Sequence, residues 1–339
     1  MNSAPNLINE GEYANVKSSD FRVMSLVGTA HFFSHFYIYL LPPLFPFLKT
    51  ALNVSYTELG LLMAVFSGTT GLTQIPFGFL VDRFGAKFIL IAGLAVEGVA
   101  FSCMGFAPGY PFLVALMFLA GAANGVYHPA DYAILSASVS KTRMGRAFSL
   151  HTFGGYAGFA VAGPVIIFLN STIGWSSGLL LCGIAGIGTA FILMLYSRDL
   201  KHTVRRKNNV IDQKAKNKSS GDSGVKLLLS PPILMCLVFF TLLSLGSTGI
   251  ASFLIVALGQ HHGTAVETAT LVLSTYLVLG AIGVLVGGFI ADRTQKHNAV
   301  AAVCFFSTAL IIASVGFFSL GSLLLFILLG VMGLMHGVI

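Results

Sequence analysis

The stretch of sequence that decides the fold is GFLVDRFGAK, Gly78 to Lys87, a short charged turn between two long apolar runs. An altered copy, GFIADRTQKH, returns at Gly288 to His297. The two aspartates of these turns, Asp82 and Asp292, lie 210 residues apart, which is too long for a solenoid repeat and suits one half of a protein that is built twice. The turn therefore predicts two similar halves.

The composition around the turn is that of an integral membrane protein. Charged residues make up 9% of the chain and hydrophobic residues 55%, whereas a soluble domain carries about 25% charged residues. Ten apolar runs, predicted spans 1 to 10, are long enough to cross the hydrocarbon core as helices. They cover residues 21–46, 56–80, 87–106, 111–137, 147–170, 175–197, 227–258, 264–290, 298–318 and 320–339. None of them alternates in polarity, so the sequence predicts an all-α membrane fold.

The basic residues mark one face of the membrane. A net charge of +7 is compatible with a nucleic-acid binder, but of the nineteen Lys and Arg residues only Lys49 lies outside the N-terminus and the alternate loops that follow spans 2, 4, 6 and 8. The positive-inside rule then predicts that the N-terminus and these loops are cytoplasmic. We expect a multi-pass protein of the bacterial inner membrane that contacts the lipid bilayer and no nucleic acid.

The chain divides into four parts. Residues 1–20 are polar and lack the basic start of a secretory signal, so we expect a cytoplasmic tail. Residues 21–197 form a first bundle of six helices, and residues 198–226 are a polar, basic cytoplasmic linker without apolar periodicity. Residues 227–339 form a second bundle of only about four helices, in which spans 7 to 10 repeat spans 1 to 4. By that symmetry two more helices are expected after Ile339, so the sequence is expected to be C-terminally incomplete.

Polar residues near the middle of the spans form the candidate site. His31 and His35 lie one helical turn apart on span 1, and Asn124, His128 and Asp131 share one face of span 4. Polar groups at this depth are costly unless they face the bundle interior or a wet cavity. The candidate residues for substrate binding or proton coupling are His31, His35, Tyr39, Glu97, Asn124, His128, Asp131 and His336. His336 enters through GLMH, Gly333 to His336, which echoes GVYH, Gly125 to His128.

Other interpretations of these residues stay open. The polar residues could serve only as interhelical hydrogen bonds that hold the bundle together. Histidines on facing helices are also compatible with a haem- or metal-binding membrane redox protein, and a membrane-embedded sensor is a further alternative. The four cysteines lie in predicted spans without paired spacing, which argues against a zinc site. The chain has no nucleophile elbow, Walker loop or HExxH motif, so we expect no enzyme, no cofactor and no bound metal.

The whole chain resembles the major facilitator superfamily. Gly78, Leu80, Asp82, Arg83, Gly85 and Lys87 match that family's loop 2–3 signature at its spacing, and Ala86 departs from it. The run from Tyr127 to Pro164 looks like the fosmidomycin-resistance-like branch. The resemblance implies two pseudo-symmetric six-helix bundles, a cavity lined by helices 1, 4, 7 and 10, and gating at the charged turns. The gating residues are then Gly78, Asp82, Arg83, Gly85, Lys87, Arg146, Asp292 and Arg293.

The function implied by the resemblance is secondary transport. We expect a monomer that moves a small organic solute by alternating access, with a proton as the candidate coupling ion and efflux as a candidate direction. Imidazole suits proton coupling because its unperturbed pKa lies near neutral pH. Two departures from the family leave coupling and direction open. Span 4 reads GAANG at Gly121 to Gly125, without the arginine of proton-driven antiporters, and the glycine–proline motif of span 5 is only partly present at Gly158, Gly163 and Pro164.

Overall fold

A computed structural model describes residues 10–198, residue 200 and residues 229–339. The predicted tail up to residue 9, and the linker apart from residues 198 and 200, lie outside the described residues. Among the described residues the helices are α1 (Glu10–Ile38), α2 (Phe45–Leu52), α3 (Tyr56–Phe84), α4 (Ala86–Met104), α5 (Tyr110–Asn124), α6 (Tyr127–Ser138), α7 (Met144–Leu195), α8 (Pro231–His262), α9 (Val266–Arg293), α10 (His297–Phe317) and α11 (Ser322–Val338). The all-helical prediction is confirmed.

Several predicted spans are broken or extended for identifiable local reasons. Span 4 becomes α5 and α6 because the ring of Pro129 cannot tolerate the helical carbonyl of Gly125, four residues earlier. The range α7 comprises spans 5 and 6 as two helices that meet at Gly174, whose φ of +82° and ψ of 156° are not helical. The helix α1 begins at Glu10, upstream of the predicted start at residue 21. Six helical segments of the described chain are long and apolar enough to cross a membrane.

The charged turn that defines the repeat is a tight reversal between α3 and α4. Gly85 caps the end of α3 and directly precedes α4 with φ 91° and ψ 136°, a conformation that only glycine adopts without strain. The start of α3 is fixed by a capping box, in which Ser55 and Glu58 satisfy each other's backbone N–H groups. Both ends of this helix are therefore specified by local sequence.

We call one end of the molecule the basic face and the other end the opposite face. The basic face carries the start of α1 and the turn at Arg83 to Lys87, and the opposite face carries the turn Pro42–Leu44 and Gly174. The first bundle has one continuous apolar core formed by α1 to α7, and a smaller core joins α8, α9, α10 and α11. Tyr39 and Phe159 of the first bundle pack against this second core.

The two bundles contact each other in the half of the molecule nearer the opposite face. Phe253 of α8 lies against the bare backbone of Gly60 and forms an edge-to-face pair with Phe45, with ring centroids 6.0 Å apart. The methyl group of Thr270 lies against Gly163. Towards the basic face, α7 and α9 separate around an apolar cleft of about 580 Å³ that runs from Phe148 to Leu285. The described conformation is thus closed at the opposite face and open towards the basic face.

Close packing within the first bundle depends on glycine at the contact of α4 with α7. A Cβ atom on Gly183 would collide with Ser102 Oγ and with the carbonyl oxygen of Gly98. We expect Gly183→Ala to lower the free energy of unfolding by about 1–3 kcal/mol, the usual cost of overpacking. Thermal unfolding in detergent measures this. The control is Gly188→Ala on the same helix, where nothing lies within 4 Å of the added Cβ, and a Gly183→Ala protein as stable as this control would contradict the prediction.

Candidate functional site

Four histidines and one aspartate meet inside the first bundle, and we call them the histidine cluster: His31, His35, His128, Asp131 and His151. The rings of His31 and His151 stack with their centroids 3.6 Å apart, and His35 and His128 lie 4.3 and 5.3 Å from His31. His151 Nε2 lies 3.0 Å from Asp131 Oδ2, and His31 Nδ1 lies 3.4 Å from the same oxygen. Asp131 is completely buried.

This geometry favours one shared proton. Two imidazolium rings stacked at 3.6 Å would repel each other strongly in a buried place, whereas a single imidazolium would be balanced by the carboxylate of Asp131. Asp131 Oδ1 and His128 Nδ1 are buried and have no hydrogen-bond partner among the described residues, and such atoms are typical of sites that exchange protons or bind a ligand. A single imidazolium paired with the Asp131 carboxylate would leave the cluster with no net charge.

A metal ion or a haem fits the cluster poorly. Nitrogens of His31, His128 and His151 lie within 4.8 Å of one another. A zinc ion, however, lies in the plane of each ligating ring at about 2.0–2.1 Å, and one ion cannot lie in the planes of two rings that are stacked 22° from parallel. The rings are also too close together to admit a porphyrin between them. The arrangement suits proton sharing rather than chelation.

The sequence folds the cluster together through small residues and helix breaks. Gly155 brings α7 so close to α1 that an added Cβ would lie 2.7 Å from the His35 ring and 3.0 Å from the His31 ring. The break before α6 turns His128 and Asp131 towards α1 and α7. Tyr132, also on α6, lies beside the histidine cluster, with its ring centroid 5.5 Å from that of His151.

Glu97 and Asn124 belong to a separate buried network. The Glu97 carboxylate accepts hydrogen bonds from Asn124 Nδ2 at 2.9 Å and from the Tyr127 hydroxyl at 2.7 Å. Asn124 also donates to the backbone and hydroxyl oxygens of Ser34. Glu97 is fully buried, and no described cation forms an ion pair with it. This network ties α1, α4, α5 and α6 together beside the histidine cluster.

A second polar site lies between the bundles, and we call it the inter-bundle cavity. It has a volume of about 140 Å³ and is lined by both halves of the chain. The lining residues are Tyr39, Tyr156, Phe159, Ser247, Tyr276, Leu277, Gly280, Gly333, His336 and Gly337. His336 is held at both nitrogens, by the Tyr276 hydroxyl at Nδ1 and by Ser247 Oγ at Nε2, 3.0 Å away. No lysine, arginine, aspartate or glutamate lines the described cavity.

Phe159 connects the two polar sites. Its ring lies 4.2 Å from that of His35 in the histidine cluster and stacks on Tyr39 of the inter-bundle cavity at 4.3 Å, both measured between centroids. The sequence grouped Tyr39 and His336 with the residues of the histidine cluster. The structure places both of them in the inter-bundle cavity, and the ring of Phe159 lies between the two sites. Movement of either bundle would shift this layer.

The predicted gating residues lie at the basic face. Asp82 and Arg83 are exposed, Gly85 is buried in the turn, and Arg83 lies over the ring of Phe84 at 5.2 Å. Gly78 has open space beside it, Lys87 is half-buried, and Arg146 and Arg293 are exposed. The side chain of Asp292 is not among the side chains that the structure describes. No described cation forms an ion pair with Asp82.

Sequence reasoning missed several residues that the fold brings into these sites. His151 is not among the candidate residues from the sequence, yet its side chain is buried against Asp131. Ser247, Tyr276 and Tyr156 carry no motif and could be found only from the fold. Asp20, assigned to the tail, is buried and forms an ion pair with Arg143 at 2.9 Å, and it also accepts a hydrogen bond from Ser140.

Two packed helical bundles, with six segments long and apolar enough to cross a membrane, define a polytopic helical membrane fold. The sequence model of the Major Facilitator Superfamily matches residues 27–339. The chain belongs to this superfamily. The family and the relatives described next are transporters rather than enzymes.

Known proteins of the family resemble the chain at low identity. A hexuronate transporter of Bacillus subtilis is 22% identical over 80% of this chain and 66% of its own length. The fosmidomycin resistance protein of Escherichia coli is 21% identical over 83% of this chain and 68% of its own length. A bacterial homolog of the human lysosomal transporter Spinster, in an inward-facing, unoccupied conformation, superimposes with a TM-score of 0.73 at 16% identity, over 94% of this chain and 73% of its own. The chain spans about two thirds of the length of the curated relatives it matches.

Proposed function

We propose that the protein is a secondary transporter that moves a small organic solute across the bacterial inner membrane by alternating access. The observation that carries this proposal is the inter-bundle cavity, which is lined by both halves of the chain and carries His336, Ser247 and three tyrosine side chains. Substrate sites of such folds lie at the interface of the repeats. Membership in the family and the transporters among the relatives support it.

The histidine cluster is proposed as the coupling centre. It holds one proton between His31, His151 and Asp131, and Phe159 connects His35 to the wall of the solute cavity. Binding of a proton on one side of this layer and of a solute on the other then favours the same movement of the bundles. His128, which is partly exposed, gives the cluster access from the open side.

The charged turns are proposed as the gate of the basic face, and the N-terminus as cytoplasmic. In the open conformation Asp82 has no described ionic partner, so its carboxylate is free to meet cationic groups or the positive end of a helix when that face closes. Arg83, Lys87, Arg146, Asp292 and Arg293 would supply the remaining charges. The relative named for fosmidomycin resistance favours efflux. We further propose that the protein acts as a monomer.

Uptake into liposomes tests this function. The protein is reconstituted, a pH gradient of either sign is imposed, and a panel of small organic acids that includes hexuronates is followed in both directions. A solute that crosses only in protein-containing liposomes and accumulates with the gradient is the expected result. Binding of a solute without any crossing would instead favour a sensor, and would overturn the proposal.

The same assay tests the gate. Asp82→Asn is expected to leave thermal unfolding unchanged while altering the transport rate several-fold. Asn keeps the size of the side chain, so a change in rate reports the lost charge. Wild-type transport in Asp82→Asn would remove the turn from the gating mechanism.

A further inference from the structure

The hydrogen bonds around His336 fix which of its nitrogens carries the proton. The single hydroxyl hydrogen of Ser247 is donated to the carbonyl oxygen of Leu243 at 2.7 Å. Ser247 Oγ can therefore only accept from His336 Nε2, so Nε2 carries the hydrogen. In the neutral ring Nδ1 is then an acceptor, and the Tyr276 hydroxyl donates to it. The Tyr276 oxygen consequently faces the inter-bundle cavity as an acceptor.

Protonation of His336 reverses this arrangement. An imidazolium donates from both nitrogens, so Nδ1–H would donate to the Tyr276 oxygen. The hydroxyl hydrogen of Tyr276 is then released from the ring and becomes available to a ligand in the cavity that Tyr276 lines. One proton on His336 thus converts the wall of the cavity from a hydrogen-bond acceptor into a donor beside a positive charge.

The surroundings leave that charge without a protein partner. The titratable groups that face the cavity with His336 are Tyr276 of α9, Tyr39 of α1 and Tyr156 of α7, and α10 presents Cys304 against the neighbouring Met335. None of them carries a carboxylate. His336 is half-buried, so an unpaired charge on it is unfavourable, and an anion in the cavity would compensate it. Proton and anion should therefore bind together, each raising the affinity for the other.

From this geometry we propose that the inter-bundle cavity binds a small organic monoanion together with one proton on His336. The anion accepts hydrogen bonds from Tyr276, with Tyr39 and Tyr156 as further donors on the first bundle. A cavity of about 140 Å³ is close to the roughly 150 Å³ that accommodates benzene, so the ligand has a body of about that size. This proposal names the substrate class of the solute site and rests on the proposed function for that site.

Benzoate and its neutral counterpart benzamide are suitable probes because they share shape and differ in charge. Binding to the purified full chain in detergent is measured by calorimetry at pH 6, 7 and 8, where benzoate stays ionised. If one proton is taken up with the anion, benzoate affinity should fall by up to about tenfold for each unit by which the pH rises. Benzamide is expected to bind weakly and without pH dependence.

Three variants test whether His336 takes up the proton and whether Tyr276 donates the hydrogen bond to benzoate. His336→Gln keeps hydrogen bonding but cannot take up the proton, so benzoate should bind weakly and equally at all three pH values. Tyr276→Phe removes the hydroxyl group that donates to the anion. Benzoate affinity at pH 6 should then drop roughly 10- to 100-fold, the range for a hydrogen bond to a charged group. His261→Gln, at an exposed position outside the cavity, should behave as the unmodified protein.

Three outcomes would overturn the proposal. These are no binding of benzoate at pH 6, binding no stronger than that of benzamide, and a pH dependence that survives in His336→Gln. The last result would show that the proton taken up with the anion does not bind to His336. None of them affects the liposome assay, in which a solute of another class would still cross, so failure here is distinguishable from failure of the proposed transport function.

Discussion

Replacing Gly163 by leucine is expected to open the opposite face of the protein. Gly163 leaves space for the methyl group of Thr270, which lies 2.8 Å from the position of a Cβ atom, and for Pro43 at 3.6 Å. The Thr270 hydroxyl is held by the Val266 carbonyl at 2.7 Å, so the methyl group cannot turn away easily. A leucine side chain must push α9 from α7 at this point.

The expected size of the effect follows from the cost of overpacking. About 1–3 kcal/mol of strain acts only in the closed conformation, which corresponds to a shift of the conformational equilibrium by roughly 5- to 150-fold. Gly60→Leu should act in the same direction because Phe253 occupies its space, 2.6 Å from a Cβ position. The two contacts lie on different helix pairs, so their effects should add.

Distances between spin labels at two pairs of positions measure the shift. Labels at Thr50 and His261 report the opposite face and should move apart, while labels at Gly145 and Gln295 report the basic face and should come closer. Gly68→Leu on α3 and Gly188→Leu on α7 are matched controls, since nothing lies within 4 Å of a Cβ at either. If Gly163→Leu left both distances as in these controls, the glycine contacts would not form the gate.

Much of the architecture could be predicted because the constraints are local or repeated. The charged turn needs Gly85 for its backbone conformation, and its copy at Gly288 to His297 revealed the duplication. Helical spacing placed His128 and Asp131 on one face, and both do reach the histidine cluster. Periodicity along a single helix was sufficient for these residues.

Contacts between helices could not be predicted in the same way. His151 lies seven residues from the start of α7 and so was not counted among the polar residues near the middle of the spans. The fold buries it because its ring stacks on His31 of α1 and its Nε2 lies against Asp131 of α6. Likewise, Ser247 and Tyr276 meet His336 only through the packing of α8, α9 and α11, which depends on side-chain fit across the whole interface.

Asp131→Asn is expected to abolish the conformational response of the solute-free protein to pH. The Asp131 carboxylate is the anionic partner of His31 and His151, at 3.4 and 3.0 Å, and the other titratable groups around these rings are His35 of α1 and His128 and Tyr132 of α6. Without the carboxylate, an imidazolium in the cluster would be buried and unpaired. Breaking such a pair costs about 3–5 kcal/mol, so proton binding should weaken by roughly a hundredfold or more.

The separation between the labels at Gly145 and Gln295, followed from pH 5 to pH 8, tests this expectation without a known solute. In the wild-type protein the proton should be bound at low pH and released as the pH rises, so the populations of the two conformations should change across this interval. In Asp131→Asn the populations of the two conformations should stay constant from pH 5 to pH 8. The same is expected for His31→Gln and His151→Gln, because glutamine keeps hydrogen bonding but does not titrate. His261→Gln is the control at an exposed histidine. A wild-type pH response in all three cluster variants would show that the proton binds elsewhere, and the histidine cluster would then be a structural hydrogen-bond network that holds α1, α6 and α7 together.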